Sequence, residues 1–223
     1  MLGSGCINFT KENHDRGVKL ALRSIAFILV AINLSMALAL FPMIGLLTFF
    51  TNWAMHFSLL TNLLVSYFGS IADIHLHKGK LVALHIVYEF AVISNVTVVL
   101  MYWGVIHNEV IHNFEGYIKL HMYIVHIFPA LGLFLTQKST DMYLCTSHWI
   151  LFVPVGIIYN IINYYATLQR GKPLYWFLTW EDYTSVFIVI GMQVAFSLIW
   201  IGLAKISQIN VSSDPKVQSE KSK

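Results

Sequence analysis

Six long apolar segments, separated by short polar ones, make up most of this sequence. They cover residues 20–46, 48–72, 81–106, 120–136, 143–168 and 184–206. None of them alternates apolar with polar residues as a barrel strand does, and each is close to or above the length of roughly 20 residues that a membrane-spanning helix needs. Because backbone groups in lipid must be hydrogen-bonded internally, we predict an all-α, polytopic bundle of about six transmembrane helices.

Polar tails flank the apolar part of the chain. The pattern predicts an N-terminal tail at 1–19, a transmembrane domain at 20–206 and a C-terminal tail at 207–223. The C-terminal tail is polar and has no aromatic residue, which is typical of a disordered segment. The first two apolar segments follow one another without a linker, so we expect a tight hairpin between them, centred on 46–53.

Composition supports a membrane protein and excludes several other classes. Of the 223 residues 57% are hydrophobic and only 11% are charged, with a mean hydropathy of +0.66, whereas a globular domain has about 25% charged residues. The net charge of +3 and the lack of a basic patch interleaved with aromatics argue against nucleic-acid binding. Cys6 and Cys145 are the two cysteines, too few for a disulfide framework. We expect no cofactor, and protein partners stay open.

The distribution of basic residues predicts the orientation. Six spans place both termini on one side of the membrane. Of the 14 lysines and arginines, all but Lys119, Arg170 and Lys172 belong to that side. Because basic residues are enriched in cytoplasmic segments, we expect both tails in the cytosol. The membrane is then an endomembrane, such as the endoplasmic reticulum, or the plasma membrane.

Residues suited to chemistry collect on the opposite, exoplasmic side. Tryptophan and tyrosine there fit the general preference of aromatic residues for membrane interfaces. His126 differs, because it lies about six residues inside the fourth span, where polar side chains are costly and often functional. A neutral imidazole that donates to a carbonyl of a neighbouring helix is the structural alternative. Glu89, inside the third span, is better explained by a structural pairing with a nearby histidine or lysine than by a proton pathway.

The histidine spacing does not predict a metal site. His121 and His126 are five residues apart, which separates them by about 140° on a helix. Paired helical ligands favour a spacing of four residues, as in HExxH. We therefore expect no bound metal.

Nucleophilic chemistry is a further possibility. A hydroxyl becomes a good nucleophile only when a base within hydrogen-bond distance takes its proton. Thr51 at the mouth of the second span and His126 in the fourth could meet in a bundle. Asn52, or backbone N–H groups at 48–51, could stabilise an oxyanion, and His56 is a candidate contact for substrate. The chain has no GxSxG motif.

Three short motifs resemble those of a known family. They are a Leu/Phe-Thr pair that opens the second span (Leu47-Thr48 or Phe50-Thr51), a histidine followed by proline in the fourth (His126 to Pro129), and a G-x-P-x-Y element after the fifth (Gly171 to Tyr175). In this order, over residues 20–205, they resemble the androgen-induced gene / androgen-dependent TFPI-regulating protein family of six-span membrane proteins.

The resemblance implies an activity and two catalytic residues. Members of that family are described as threonine hydrolases of fatty acid esters of hydroxy fatty acids, which use one threonine and one histidine. Carried over to this chain, it implies a lipid substrate, Thr51 as nucleophile and His126 as base. Thr48 and His121 are the rival candidates.

Two other functions compete with the lipid hydrolase. The first is a non-catalytic accessory or scaffold protein that uses the same helices for packing alone. The second, a transporter, is weaker because the halves of the sequence do not repeat each other. A threonine hydroxyl within about 4 Å of a histidine nitrogen would favour the hydrolase.

Overall fold

The computed structural model describes residues 16–40, 47–69, 78–140 and 142–212, and this part of the chain is almost entirely helical. The α-helices are α1 (Arg16–Leu40), α2 (Phe50–Gly69), α3 (Lys78–Met101), α4 (His107–Val110), α5 (Gly116–Lys138), α6 (Trp149–Arg170) and α7 (Tyr183–Ser212). A π-helical segment, Tyr102–Ile106, follows α3, and short 3-10 turns lie at Ile111–Asn113 and Thr146–His148. Of the hairpin predicted at 46–53 the structure describes residues 47–53, whereas the N-terminal tail up to residue 15 and the C-terminal tail beyond residue 212 lie outside the described residues.

Five helical stretches of the described chain are long and apolar enough to cross a membrane. They are Gly17–Leu40, Gly79–Asn113, Gly116–Lys138, Thr146–Arg170 and Tyr183–Ser207. The all-helical, multi-pass character predicted from the sequence is thus present, and its composition is that of an integral membrane protein. Helix α2 has 20 residues but is not among the five. Its polar side chains, several of them buried, lower its hydropathy.

The apolar segments locate the helices but not their ends. The helical stretch that begins at Gly79 continues to Asn113, although its apolar run was predicted to stop at 106, and α7 reaches Ser212 rather than 206. The predicted fifth segment began at 143, whereas α6 begins at Trp149 after a 3-10 turn. Polar residues extend a helix beyond its apolar part at little cost, so hydropathy marks the end of the apolar run only.

The described chain separates into two compact units, one up to Met142 and one from Tyr143 onward. In the N-terminal unit α5 packs closely on α1. A Cβ at Gly132 would lie 3.0 Å from the carbonyl oxygen of Ala26 and 3.1 Å from the side chain of Val30. Glycine therefore allows the two backbones to approach. Val30 also packs against Ala37 and Met55, which brings α1 against α2.

Helix α2 is tied to its neighbours by buried polar side chains. Asn95 of α3 donates to the Ser58 hydroxyl at 2.8 Å. Thr136 of α5 donates to the side-chain oxygen of Asn62 at 2.5 Å. All four residues are buried. Because an unpaired polar group in an apolar interior is unfavourable, these hydrogen bonds fix α2 against α3 and α5.

Glu89 is paired within its own helix. Its carboxylate lies 3.4 Å from Nε2 of His85, one turn earlier in α3, and both side chains are buried. The predicted structural pairing of Glu89 with a histidine is confirmed.

The C-terminal unit contains α6, α7 and the aromatic loop between them. Gly171 ends α6 in the left-handed conformation, at φ 63°, which a glycine adopts without strain. Tyr175 follows, and its hydroxyl accepts a hydrogen bond from Tyr159 at 3.1 Å. Trp180 also has a positive φ, 61°, and its indole N–H donates to Asn163 at 2.7 Å. The G-x-P-x-Y element thus helps to fold the loop back onto α6.

Candidate functional site

Thr51 and His126 meet where α2 begins. The Thr51 hydroxyl oxygen lies 3.3 Å from Nε2 of His126 on α5. His126 is buried, with 7% of its surface exposed, whereas Thr51 is half-buried. This distance is below the limit of about 4 Å set above and close to the roughly 3.2 Å of a tight contact between nucleophile and base, which is often longer without substrate. The catalytic roles of the two residues stay predictions.

The second ring nitrogen of His126 determines which tautomer is present. Nδ1 lies 2.6 Å from the backbone carbonyl oxygen of Met122, one turn earlier in α5. A carbonyl can only accept, so in the neutral ring Nδ1 carries the proton and Nε2 has the free lone pair. The Thr51 hydroxyl is therefore the donor and His126 Nε2 the acceptor. This is the arrangement that a nucleophile and a general base need, with the Met122 carbonyl as the group that orients the base.

Tyr102 lies flat against the imidazole of His126. The ring centroids are 3.4 Å apart, and the planes differ by only 4°. Tyr102 is 1% exposed, and its hydroxyl has no hydrogen-bond partner among the described residues. Stacking restricts rotation of the imidazole about its side-chain bonds, so Tyr102 and Met122 together hold the ring in one orientation.

Further aromatic rings pack beside Tyr102 and His126. The ring of His107 packs edge-on against Tyr102 at 5.2 Å, and Trp103 and Tyr123 lie 4.6 and 5.6 Å from His107. Tyr102 is the first residue of the π-helical segment. A π-helical turn changes the face on which the following side chains project, and such turns are frequent at functional sites.

The pair lies deep along α5 rather than at its end. His126 is ten residues beyond Gly116, the first residue of α5, which corresponds to about 15 Å along a 23-residue helix. Since Thr51 is the second residue of α2, the start of α2 also lies at that level. The sequence predicted Thr51 at the mouth of the second span, and Thr51 does lie at the start of α2.

The other predicted site residues lie on the same elements. Asn52 is buried beside Thr51, and its backbone N–H donates to the Phe49 carbonyl at 3.0 Å. That N–H is therefore engaged within the turn, which leaves the Asn52 side chain as the better candidate to stabilise an oxyanion. His56 is exposed, and its Nδ1 donates to the Asn52 carbonyl at 2.6 Å.

The two rival residues, Thr48 and His121, also lie in this region. Thr48 is half-buried in the turn before α2, and His121 is 2% exposed on α5. Both rivals thus lie near the proposed pair along their own elements, and substitution is needed to decide between them.

Sequence reasoning missed Tyr102. It stands in an apolar run next to Trp103, where an aromatic residue reads as membrane-facing, and no motif marks the π-helical turn. One signal was available in the sequence. The hydroxyl of a tyrosine inside a spanning helix is a polar group in an apolar environment, which is costly and often functional.

Comparisons with known proteins add no assignment. No protein-family model matches this chain, and neither a curated protein nor a solved structure is significantly similar to it.

Removal of the Tyr102 ring should expose His126. We expect diethyl pyrocarbonate, followed by peptide mass spectrometry, to modify His126 slowly in the native protein and several-fold faster in Tyr102→Ala. Tyr102→Phe keeps the stacked ring and should keep the protection. The exposed His112 serves as the internal standard, since its rate should not change. Equal rates at His126 in all three proteins would show that Tyr102 does not cover the imidazole.

Proposed function

We propose that this protein is an integral membrane hydrolase of lipid esters, with Thr51 as nucleophile and His126 as general base. The observation that carries the proposal is the hydrogen bond of 3.3 Å between the Thr51 hydroxyl and the unprotonated Nε2 of His126. The Met122 carbonyl behind the ring supports it, because it selects the tautomer that can accept a proton from Thr51. The resemblance of the motifs to the androgen-induced gene family suggests fatty acid esters of hydroxy fatty acids as substrates.

The reaction proceeds in two acyl transfers. Thr51 Oγ attacks the ester carbonyl carbon while its proton moves to His126 Nε2. The tetrahedral intermediate collapses, the C–O bond to the alcohol breaks, and the imidazolium gives its proton to the leaving alkoxide. Water then attacks the acyl-threonine with His126 again as base, which releases the fatty acid and restores the Thr51 hydroxyl. The balance is one ester and one water converted to one acid and one alcohol.

The start of α2 favours the negative charge that develops on the carbonyl oxygen. Thr51 and Asn52 lie in the first turn of a 20-residue helix, where backbone N–H groups and the helix dipole stabilise anions. The buried amide of Asn52 is the side-chain donor nearest to Thr51 in sequence. Such preorganised donors act strongly in a site from which water is largely excluded.

The position of the pair suits a lipid rather than a soluble ester. His126 lies about 15 Å from Gly116, near the middle of a helix that is long and apolar enough to cross a membrane. An ester of two long chains would reach this depth from within the membrane. We further propose that the membrane is the endoplasmic reticulum or the plasma membrane.

Substitution of the pair tests the activity. For purified protein in detergent, we expect Thr51→Ala and His126→Ala each to lower lipid ester hydrolysis by about a thousandfold or more, and the double variant to be no worse, because the members of a catalytic unit are not additive. Thr51→Ser keeps the hydroxyl and should retain activity.

Thr48→Ala and His121→Ala are the matched controls, with thermal melting as the check on folding. They should stay active. If they abolish activity and the Thr51 and His126 variants do not, the nucleophile and base are the rival pair. Undiminished hydrolysis in all four single variants would contradict a threonine hydrolase.

We also propose that α2 crosses the membrane in addition to the five stretches above. An even number of six spans then places both tails on one side, the cytosol. Its 20 residues reach about 30 Å, and Ser58 and Asn62 are hydrogen-bonded to neighbouring helices rather than facing lipid. The excess of basic residues on the side of the termini supports the orientation.

Protease added to sealed microsomes should digest tags at both ends. Asn8 and Asn210 each begin an N-x-S/T sequon. Protection of either tag, or glycosylation at either sequon, would overturn this topology.

A further inference from the structure

A groove lies between α3 and α5. It has a volume of about 260 Å³, and its walls come from Val92 to Leu100 on α3 and from Ala130 to Gln137 on α5. Except for Asn95 and Gln137, its lining residues are all apolar. The Asn95 amide is turned to other groups, since it donates to Ser58 and to the Ala91 carbonyl. The groove therefore offers a long, largely apolar surface.

The register of the two helices connects the groove to the candidate site. Ala130 follows His126 by four residues and Val99 precedes Tyr102 by three, so each lies about one helical turn from the stacked rings on nearly the same face. From Ala130 to Gln137 the groove extends about 10 Å farther along α5. The end lined by Val99 and Ala130 thus lies about one helical turn from Tyr102 and His126, and the end lined by Gln137 lies next to Lys138, the last residue of α5.

We infer that this groove binds the acyl chain of the substrate ester. The inference rests on the proposed function, because it places the carbonyl carbon at Thr51 and lets the chain run from there between α3 and α5. An alkyl chain is the ligand that fits, because the lining of the groove is largely apolar and the two helical stretches beside it are themselves apolar enough to cross a membrane. Burial of each methylene in such a groove favours binding.

Substitutions along the groove should shorten the acyl chains that are accepted. The substrates are p-nitrophenyl butyrate, octanoate and palmitate, which share a leaving group. Ala130→Phe fills the end near His126, so kcat/KM for octanoate and palmitate should fall about tenfold, the equivalent of about two buried methylenes, while butyrate is unaffected. Val92→Phe fills the far end and should impair palmitate alone.

Leu131→Phe is the matched control. Leu131 is the next residue on α5, is 42% exposed and does not line the groove. Its variant should keep the native chain-length profile. If Ala130→Phe and Val92→Phe also keep that profile, or lower kcat/KM equally for all three substrates, the groove does not hold the acyl chain. That result would leave the proposed hydrolase activity unaffected.

A binding readout separates this inference from catalysis. A palmitate ester with a diazirine on its acyl chain is photolysed with the native protein and with Thr51→Ala, and labelled peptides are identified by mass spectrometry. Label at 92–100 and 130–137 in both proteins, lost in Ala130→Phe and kept in Leu131→Phe, supports the groove even if no ester is hydrolysed. Label confined to other helices would overturn it.

Discussion

Helix α2 has one face of polar side chains that must pack against other helices rather than face lipid, and the packing of the N-terminal unit follows from that constraint. Thr51, Ser58 and Asn62 are spaced by seven and four residues and so share one face of α2. Each is hydrogen-bonded to another helix: Thr51 to His126, Ser58 to Asn95, and Asn62 to Thr136. The three bonds hold α2 between α3 and α5, and the need to satisfy them determines how those helices pack.

The three bonds along this face of α2 are not equivalent. Ser58 and Asn62 are at most 1% exposed and contact amides or hydroxyls, which suits a structural role. Thr51 is half-buried, and its partner is an imidazole whose free lone pair points at the hydroxyl. Tyr102 adds a flat ring that restrains that imidazole. Accessibility and a preoriented base are what distinguish a reactive hydroxyl from one that only joins two helices.

The sequence indicated which residues of this region are suited to chemistry, and the structure adds their geometry. Sequence reasoning named Thr51 and Asn52 at the start of the second span, and it named His126 because polar side chains inside a span are costly and often functional. The depth of the pair was not predictable, because it depends on where α2 starts relative to α5. Tyr102 was also missed, since a π-helical turn has no sequence signature and its effect appears only when two helices are packed together.

The helix ends show the same limit. Hydropathy identified each apolar run, but the helical stretch after α3 continues through polar residues to Asn113. Likewise α6 starts several residues after its apolar run begins. The ends of helices depend on backbone hydrogen bonding and local turns, whereas the apolar pattern reports only which residues tolerate lipid.

The central claim is that Thr51 is a nucleophile activated by His126, and covalent labelling tests it most directly. The native protein is treated with a fluorophosphonate, which forms a stable adduct only with an activated hydroxyl, and the modified residue is located by mass spectrometry. The account predicts an adduct on Thr51 that is absent in Thr51→Ala and strongly reduced in His126→Ala. An unmodified Thr51 in folded protein that hydrolyses lipid esters, or an adduct that persists in His126→Ala, would contradict it.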